Sequence, residues 1–143
     1  TVLRPADALL RVHAAMRARG ADLALGVFPV EEPERLGPVE YDDDGVVLRV
    51  RDKPGDRAVL NSWGVACWSP RFTDYCAAWD LARRAESPRE RVIGHAFEAA
   101  RAAGMTVIAV PMAGGVFLDA GTPRGLREAL NLLAEEAEAA RRR

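Results

Sequence analysis

The run ADLALGVFPV, residues 21 to 30, restricts the fold of this chain more than any other stretch. It is apolar over the length of a strand and stops at Pro29 and the acidic stretch EEPER, so it predicts a buried strand leading into a surface loop. A helix pattern precedes it, with a predicted start at Pro5 and an end at Gly20. The residues at helical spacing in that pattern are Leu9, Val12, His13 and Met16. A buried strand directly after a helix indicates an α/β fold.

The rest of the chain alternates between strand and helix patterns. GPVEYDDDGVVLRV predicts a hairpin around its Asp-Asp-Asp-Gly turn, and WGVACWS, MTVIAVPM and GVFLD predict strands. Further helices are predicted from Pro70 with Ser69 as the cap, around residues 91 to 103, and from Thr122 or Pro123. This order predicts a single domain over residues 1–143, with a mixed, mostly parallel sheet flanked by helices.

Charge and cysteine content exclude several classes of partner. A net charge of -1 supplies no basic field for a nucleic acid backbone, so we expect no nucleic acid partner. Cys67 and Cys76 are too few for a disulfide framework and lack metal-ligand spacing, and their apolar surroundings indicate reduced thiols. The sequence shows no leader, and no apolar run approaches the roughly 18 residues that span a bilayer. We therefore expect a cytoplasmic protein with no membrane partner.

Asp119 stands in the stretch GVFLDAGTPRG, where a predicted strand ends and a helix begins. Gly121 permits a tight turn after it, and Thr122 and Pro123 suit the N-cap and first position of the helix. Ligands of open α/β sheets gather at such strand ends, and a helix start favours anions. Because aspartate also organises turns, a structural role for Asp119 is the alternative.

A second polar motif, Asp52-Lys53-Pro54, follows the second strand of the predicted hairpin. Its carboxylate can hold sugar hydroxyls, and its ammonium can hold a phosphate as a point charge. The alternative is an ordinary charged loop at a strand exit. Each of these two motifs is weak evidence of function by itself.

Together, and in this order, the motifs resemble the sugar-phosphate nucleotidyltransferases, which include glucose-1-phosphate thymidylyltransferases and mannose-1-phosphate guanylyltransferases. The resemblance runs over nearly the whole chain, through ADLALGVFPV, LGPVEYDDDGVVLRVRDKP, a Trp-Gly strand and FLDAGTP. It implies a Rossmann-like nucleotidyltransferase fold that lacks its N-terminal nucleotide-binding part. The glycine-rich nucleotide loop and the first metal-binding aspartate of the family would precede Thr1.

The resemblance also implies roles for individual residues. Asp52 and Lys53 match the family's Glu-Lys-Pro element, in which the acid binds the sugar and the lysine, a catalytic residue, neutralises the sugar 1-phosphate. Gly37 matches a glycine whose backbone lies close to the sugar. Asp119 matches the second of two catalytic aspartates that hold Mg²⁺ against the nucleotide phosphates. The implied substrates are a sugar 1-phosphate and a nucleoside triphosphate, and the implied reaction releases pyrophosphate.

The sequence departs from the family at two of these positions. Asp52 is one methylene shorter than the usual glutamate, and the usual Asn-Ala-Gly strand here has Trp63 and Gly64, which we expect on the substrate side, after Asn61 and Ser62. The role of the family's asparagine falls to Asn61, Ser62 or Trp63.

Three further expectations concern the histidines, the oligomeric state and catalysis. His13 and His95 both lie in helical patterns, and we expect both to be structural. A truncated sheet would expose an apolar edge, so we expect self-association, a homo-oligomer. A non-catalytic module that binds sugar phosphates or a subunit is the alternative function.

Overall fold

Strand β2 (Leu23–Pro29) lies at the centre of the main sheet. The computed structural model describes residues 1–84 and 92–142. The first six residues of β2 are all buried, which confirms the buried strand predicted from the apolar run. Leu23 and Leu25 face one hydrophobic cluster, whereas Ala24 and Phe28 face another, because successive side chains of a strand point to opposite faces.

The other elements surround β2. The strands are β1 (Val2–Arg4), β3 (Val39–Tyr41), β4 (Val47–Val50), β5 (Asn61–Trp68), β6 (Val107–Pro111) and β7 (Val116–Leu118). The helices are α1 (Ala8–Arg19), α2 (Pro70–Arg84), α3 (Ile93–Ala102) and α4 (Pro123–Arg141), with a short 3-10 helix at Pro33–Arg35. None of the helices in the described residues combines the length and apolar character that a bilayer span requires.

The main sheet has the strand order β5-β2-β6. Strand β6 runs parallel to β2 and β5 runs antiparallel to it. The pairs β3–β4 and β1–β7 are also antiparallel. The predicted mixed sheet with flanking helices is confirmed, but the expected parallel majority is wrong for residues 1–84 and 92–142. The reason is that the hairpin and the return of β5 along β2 need no helical crossover, which only parallel neighbours require.

Helices cover both faces of the main sheet. Val12 and Met16 of α1 pack in the cluster that contains Ala24 and Phe28. On the other face, Phe72 of α2 and Phe97 of α3 pack with 5.7 Å between their ring centroids, in the cluster that also contains the buried residues of the β3–β4 hairpin. This second face carries the loops that follow β4 and precede β3.

The helix boundaries were largely predictable. Gly20 ends α1 in a left-handed conformation (φ 58°), as predicted, but the start at Pro5 is wrong. The Pro5 carbonyl accepts the Ala8 N–H (3.1 Å), so Pro5 lies in the turn before the helix. The Thr122 hydroxyl accepts the Gly125 N–H (3.0 Å), which confirms the predicted cap of α4. The pattern predicted from residue 91 begins outside the described residues, and α3 accounts for its remainder.

Candidate active site

The loop that carries Asp52 and Lys53 is paired with the segment that carries Gly37. The Arg51 N–H donates to the Pro38 carbonyl (3.0 Å), and the Lys53 N–H donates to the Leu36 carbonyl (2.8 Å). Gly37 therefore lies opposite Asp52. These bonds extend the pairing of β3 with β4, so the hairpin itself brings the two predicted sugar-binding positions together.

The loop is closed on its far side by Arg51 and Asp56. The Arg51 guanidinium donates to the Asp56 carboxylate through Nη1 (3.0 Å) and also through Nη2. These hydrogen bonds, with one from the Ala58 N–H, hold the pKa of Asp56 below its ordinary value. Lys53 lies inside the closed loop with a left-handed backbone (φ 43°), and its side chain is exposed.

Trp63 of β5 lies against Gly37. The Trp63 N–H donates to the Gly37 carbonyl (3.0 Å), and a Cβ atom on Gly37 would come within 2.3 Å of the indole Nε1. On another side of the indole, a Cβ on Gly94 would lie 3.9 Å from the same nitrogen. The Phe97 ring meets the indole edge-on, with 5.2 Å between centroids. Gly37, Trp63 and the start of α3 thus form one wall beside Asp52.

Asn61 and Ser62, the residues before Trp63, hold the backbone of the facing segment. The Val39 N–H donates to Asn61 Oδ1 (2.9 Å), and Asn61 Nδ2 donates to the Val39 carbonyl (3.0 Å). The buried Ser62 hydroxyl accepts the Gly37 N–H (3.2 Å) and lies 3.3 Å from the Gly37 carbonyl. Ser62 therefore fixes the backbone of Gly37, and Asn61 fixes that of Val39 in the same segment.

Asp52 has a neighbour that the sequence analysis missed. His95 of α3 places Nε2 3.5 Å from Asp52 Oδ2. From the helical pattern of its surroundings, His95 is expected to be structural. The helical pattern could not show that the first turn of α3 faces the Asp52 loop.

Asp119 follows β7 and organises the turn into α4. Its Oδ1 accepts the Gly121 N–H (3.0 Å), and its carbonyl oxygen lies where a Cβ on Gly125 would be only 2.0 Å away. The side chain is exposed and lies on a cleft of about 1040 Å³ between the loop after β2 and the start of α4. The structural role of Asp119 is therefore present, and its exposure also leaves it accessible to a ligand.

The Asp119 cleft adjoins the Asp52 loop through Leu36 and adjoins β5 through Phe117. Leu36 lines the cleft, and its carbonyl holds the Lys53 N–H. Phe117 also lines the cleft, and its ring occupies the space beside Gly64, where a Cβ would come within 2.6 Å of it. Gly37 and Trp63 thus form a wall beside the loop that carries Asp52 and Lys53, whereas Gly64 lies against Phe117 of the Asp119 cleft. The cleft itself is lined by neither Asp52 nor Lys53.

Arg124 lies across the Asp119 cleft. Its Nη1 is 3.3 Å from Glu32 Oε1 in the loop after β2, and its Nε donates to Glu128 (2.8 Å). Both ends of this bridge belong to residues that line the cleft. No sequence pattern predicts this contact, because Glu32 and Arg124 are 92 residues apart and no local signal connects the loop to the first turn of α4.

One carboxylate of the site, that of Asp119, suits a magnesium ion as a single ligand. Across residues 1–84 and 92–142, no three histidine, cysteine or acidic side chains converge as a metal site. Asp119 is an exposed carboxylate with one accepted hydrogen bond, and a carboxylate has about four acceptor positions. Since Mg²⁺ binds through one or two carboxylates plus substrate phosphates, Asp119 suits one ligand of such an ion.

Comparison with known proteins gives a family and a fold. Residues 4–136 match the model of the family described as Nucleotidyl transferase. No curated protein is detectably similar to the chain in sequence. Among solved structures, a Bacillus anthracis protein assigned as a glucose-1-phosphate thymidylyltransferase, crystallised in complex with sucrose, is similar with a TM-score of 0.69 and 18% identity. The match covers 84% of this chain and 46% of that protein, so the chain spans about half of its length.

Proposed function

Because the chain belongs to the nucleotidyl transferase family, we propose that it forms the sugar-phosphate side of a site that transfers a nucleotidyl group from a nucleoside triphosphate to a sugar 1-phosphate. The observation that carries this proposal is the wall of Gly37 and Trp63 beside the loop that carries Asp52 and Lys53. These positions come from three segments: the one before β3, the loop after β4, and β5. The family resemblance implies sugar-phosphate contacts for Gly37, Asp52 and Lys53, and we expect Trp63 on the same side.

Asp52 and Lys53 have the chemistry that a sugar 1-phosphate requires. The Asp52 carboxylate accepts hydrogen bonds from sugar hydroxyls, and the Lys53 ammonium neutralises the phosphate. Lys53 is the single lysine among the 143 residues, in a chain with 19 arginines. A compact ammonium is therefore used at one position of this chain, where a planar guanidinium would present a different geometry to phosphate.

Asp119 supplies a carboxylate for Mg²⁺ at the edge of the cleft. The ion, when bound, neutralises negative charge on the triphosphate. Asp119 would hold the ion through its carboxylate, whose orientation the Gly121 N–H fixes. The Thr122 cap starts α4 next to it, and the positive end of that helix also favours anions.

The reaction is an in-line displacement at phosphorus. A phosphate oxygen of the sugar 1-phosphate attacks the α-phosphorus of the nucleoside triphosphate and forms a new P–O bond. The bond between the α-phosphorus and the oxygen that bridges it to the β-phosphorus breaks, and pyrophosphate leaves with that electron pair. The residues of this chain orient the attacking phosphate and offset its charge. Such catalysis depends mainly on positioning and electrostatic stabilisation, so it needs no protein nucleophile.

Pyrophosphate release tests the proposal. The enzyme is the longest natural chain that contains these 143 residues, hereafter the natural protein, assayed with Mg²⁺ and a panel of sugar 1-phosphates and nucleoside triphosphates. Lys53→Gln should lower turnover by about 100-fold, because it removes the charge on the phosphate. Lys53→Arg, which keeps the charge, should retain part of the activity. Equal activity of Lys53→Gln and wild type would contradict the assignment.

A non-catalytic sugar-phosphate or subunit-binding module is the second candidate. The turn role of Asp119 favours it, because that role needs no metal or nucleotide. It predicts heat of binding with sugar 1-phosphates in titration calorimetry, without pyrophosphate release. Under this candidate, Lys53→Gln would weaken binding and Asp119→Asn would leave it unchanged.

Cellular location and self-association complete the proposal. Cys67 and Cys76 are free thiols in the structure, which supports a reducing compartment, and we infer the cytoplasm. Strand β5 pairs with β2 along one side and is one of the two outer strands of the main sheet among the described residues. Its first residues, Asn61 to Trp63, bond the segment that contains Gly37, and the uncharged remainder of its edge favours association with another chain.

A further inference from the structure

His95 lies beside the carboxylate to which the proposed function assigns the sugar hydroxyls. Its Nε2 is 3.5 Å from Asp52 Oδ2. The His95 side chain is 51% exposed and that of Asp52 20%. The pair therefore lies at a rim of the site, with Asp52 turned inward and His95 accessible from solvent.

The backbone on both sides of this contact is fixed by the fold. Asp52 lies between two residues whose N–H groups are bonded to the segment containing Gly37. His95 belongs to the first turn of α3, where its N–H donates to the Val92 carbonyl (3.0 Å). The next two residues of the helix, Ala96 and Phe97, are fully buried and anchor it. The contact thus joins two side chains whose Cα positions are independently held.

We propose that His95 is a positioning residue for Asp52. The imidazole lies against Oδ2 at ion-pair distance, which leaves Oδ1 as the acceptor for a sugar hydroxyl. An imidazole N–H is a suitable donor to a carboxylate, and a carboxylate that is already oriented loses less freedom when the sugar binds. The inference rests on the proposed function, since it assumes that Asp52 binds the sugar.

The short side chain of Asp52 explains the need for such a partner. A glutamate would reach one methylene further from the backbone, whereas an aspartate can present its carboxylate at only one distance. Its orientation then decides whether the hydroxyl is reached. If the His95–Asp52 pair only held α3 against the loop, its loss would change the free energy of unfolding and not sugar binding. An exposed ion pair contributes little to that free energy.

The test is a double-mutant cycle on the natural protein. His95→Ala should raise the KM for sugar 1-phosphate by about fivefold, the size expected for loss of one partly exposed charged contact, with little change in kcat or in the KM for nucleoside triphosphate. In an Asp52→Ala background the same substitution should have no further effect. His95→Gln should restore much of the binding, because its amide also donates. His13→Ala, at an exposed histidine on α1, is the matched control and should change nothing.

Three results would overturn the inference. One is an unchanged KM in both His95→Ala and His95→Gln. Another is an effect of His95→Ala that is equally large without Asp52, since His95 would then act elsewhere. The third is a wild-type protein that neither releases pyrophosphate nor binds any sugar 1-phosphate, which would overturn the proposed function as well. Normal wild-type turnover with an unaffected His95→Ala would remove only the role of His95.

Discussion

The indole of Trp63 occupies the space that a Cβ atom on Gly37 would need. Gly37→Ala must therefore push the indole away from the wall beside Asp52. We expect a loss of about 1–3 kcal/mol in the free energy of unfolding, as for other overpacked sites, together with weaker sugar 1-phosphate binding. Urea unfolding and calorimetry of the natural protein would measure the two effects.

Gly94→Ala is the matched control, because its Cβ would lie at an ordinary contact distance of 3.9 Å from the same indole nitrogen. It lies inside α3, where alanine is favoured over glycine by up to about 1 kcal/mol. We expect unchanged binding and equal or greater stability. If Gly37→Ala behaved like Gly94→Ala, the close packing of Gly37 on Trp63 would not matter for the site.

Asp119→Asn separates the turn role from the charge role of Asp119. Asparagine keeps an oxygen that can accept the Gly121 N–H, so the thermal unfolding midpoint should stay near that of wild type. Turnover should fall by about 100-fold, since a neutral amide is a poor ligand for Mg²⁺. A titration of activity with Mg²⁺ should show a higher concentration for half-maximal rate.

Asp119→Ala removes both roles and should lower the unfolding midpoint as well as the turnover. Unchanged turnover in Asp119→Asn would exclude Asp119 from metal binding. A fall in stability as large as that of Asp119→Ala would show that the asparagine does not replace the turn.

Glu98 connects α3 to β4 through a buried backbone group. Its Oε2 accepts the Val50 N–H (2.7 Å), and its Oε1 accepts a bond from Arg101 Nη2 (2.7 Å). Desolvation raises the pKa of Glu98, but the hydrogen bonds from Arg101 and Val50 outweigh it, and the net pKa lies below the ordinary value. Glu98→Ala should lower the free energy of unfolding by about 1–3 kcal/mol, because the Val50 N–H loses this acceptor.

The contribution of Glu98 should depend on pH with a definite sign. Because the folded state lowers its pKa, its stabilisation is present above the unfolded pKa of about 4.3 and is lost as the pH falls through the folded value. The difference in unfolding free energy between wild type and Glu98→Gln should therefore be larger at pH 7 than at pH 3. Glu138→Gln, in an exposed pair with Arg142, should show almost no difference at either pH.

The two cysteines should be slow to alkylate at neutral pH. Burial raises the pKa of both thiols, and the charge of Asp80 raises that of Cys76 further. The thiolate fraction at pH 7.5 is then lower than for a free cysteine with a pKa of about 8.5. Peptide mass spectrometry after iodoacetamide treatment would give each rate. Asp80→Asn should speed modification of Cys76 and leave Cys67 as the internal reference; equal acceleration at both would point to general opening of the fold.

The sequence predicted those parts of the fold that depend on neighbouring residues. The buried β2 follows from its apolar run, the hairpin from its turn, and the start of α4 from Thr122 and Pro123. The predicted start of α1 at Pro5 was wrong because proline suits both a turn before a helix and the first position of a helix. The predicted share of parallel pairing was wrong because the direction of a neighbouring strand depends on its connection, which an apolar pattern does not encode.

One part of the candidate site follows from the predicted hairpin. Gly37 and Asp52 face each other because that hairpin joins their segments, while the roles assigned to the two residues stay predictions. The contact of Asp52 with His95 depends on how α3 packs on the sheet, which is decided by buried residues such as Phe97. No local pattern at His95 distinguishes a helix position that faces a loop from one that faces water.

The backbone of Lys53 has a consequence for any attempt to improve this protein. Lys53 has a left-handed backbone, and this conformation costs a residue with a side chain roughly 1–2 kcal/mol of folding free energy. Glycine adopts the same conformation without that cost. A library randomised at position 53 and screened for thermal tolerance alone would therefore enrich glycine and discard the ammonium. The same library screened for sugar-phosphate binding should enrich lysine. The two screens would therefore select different residues at position 53.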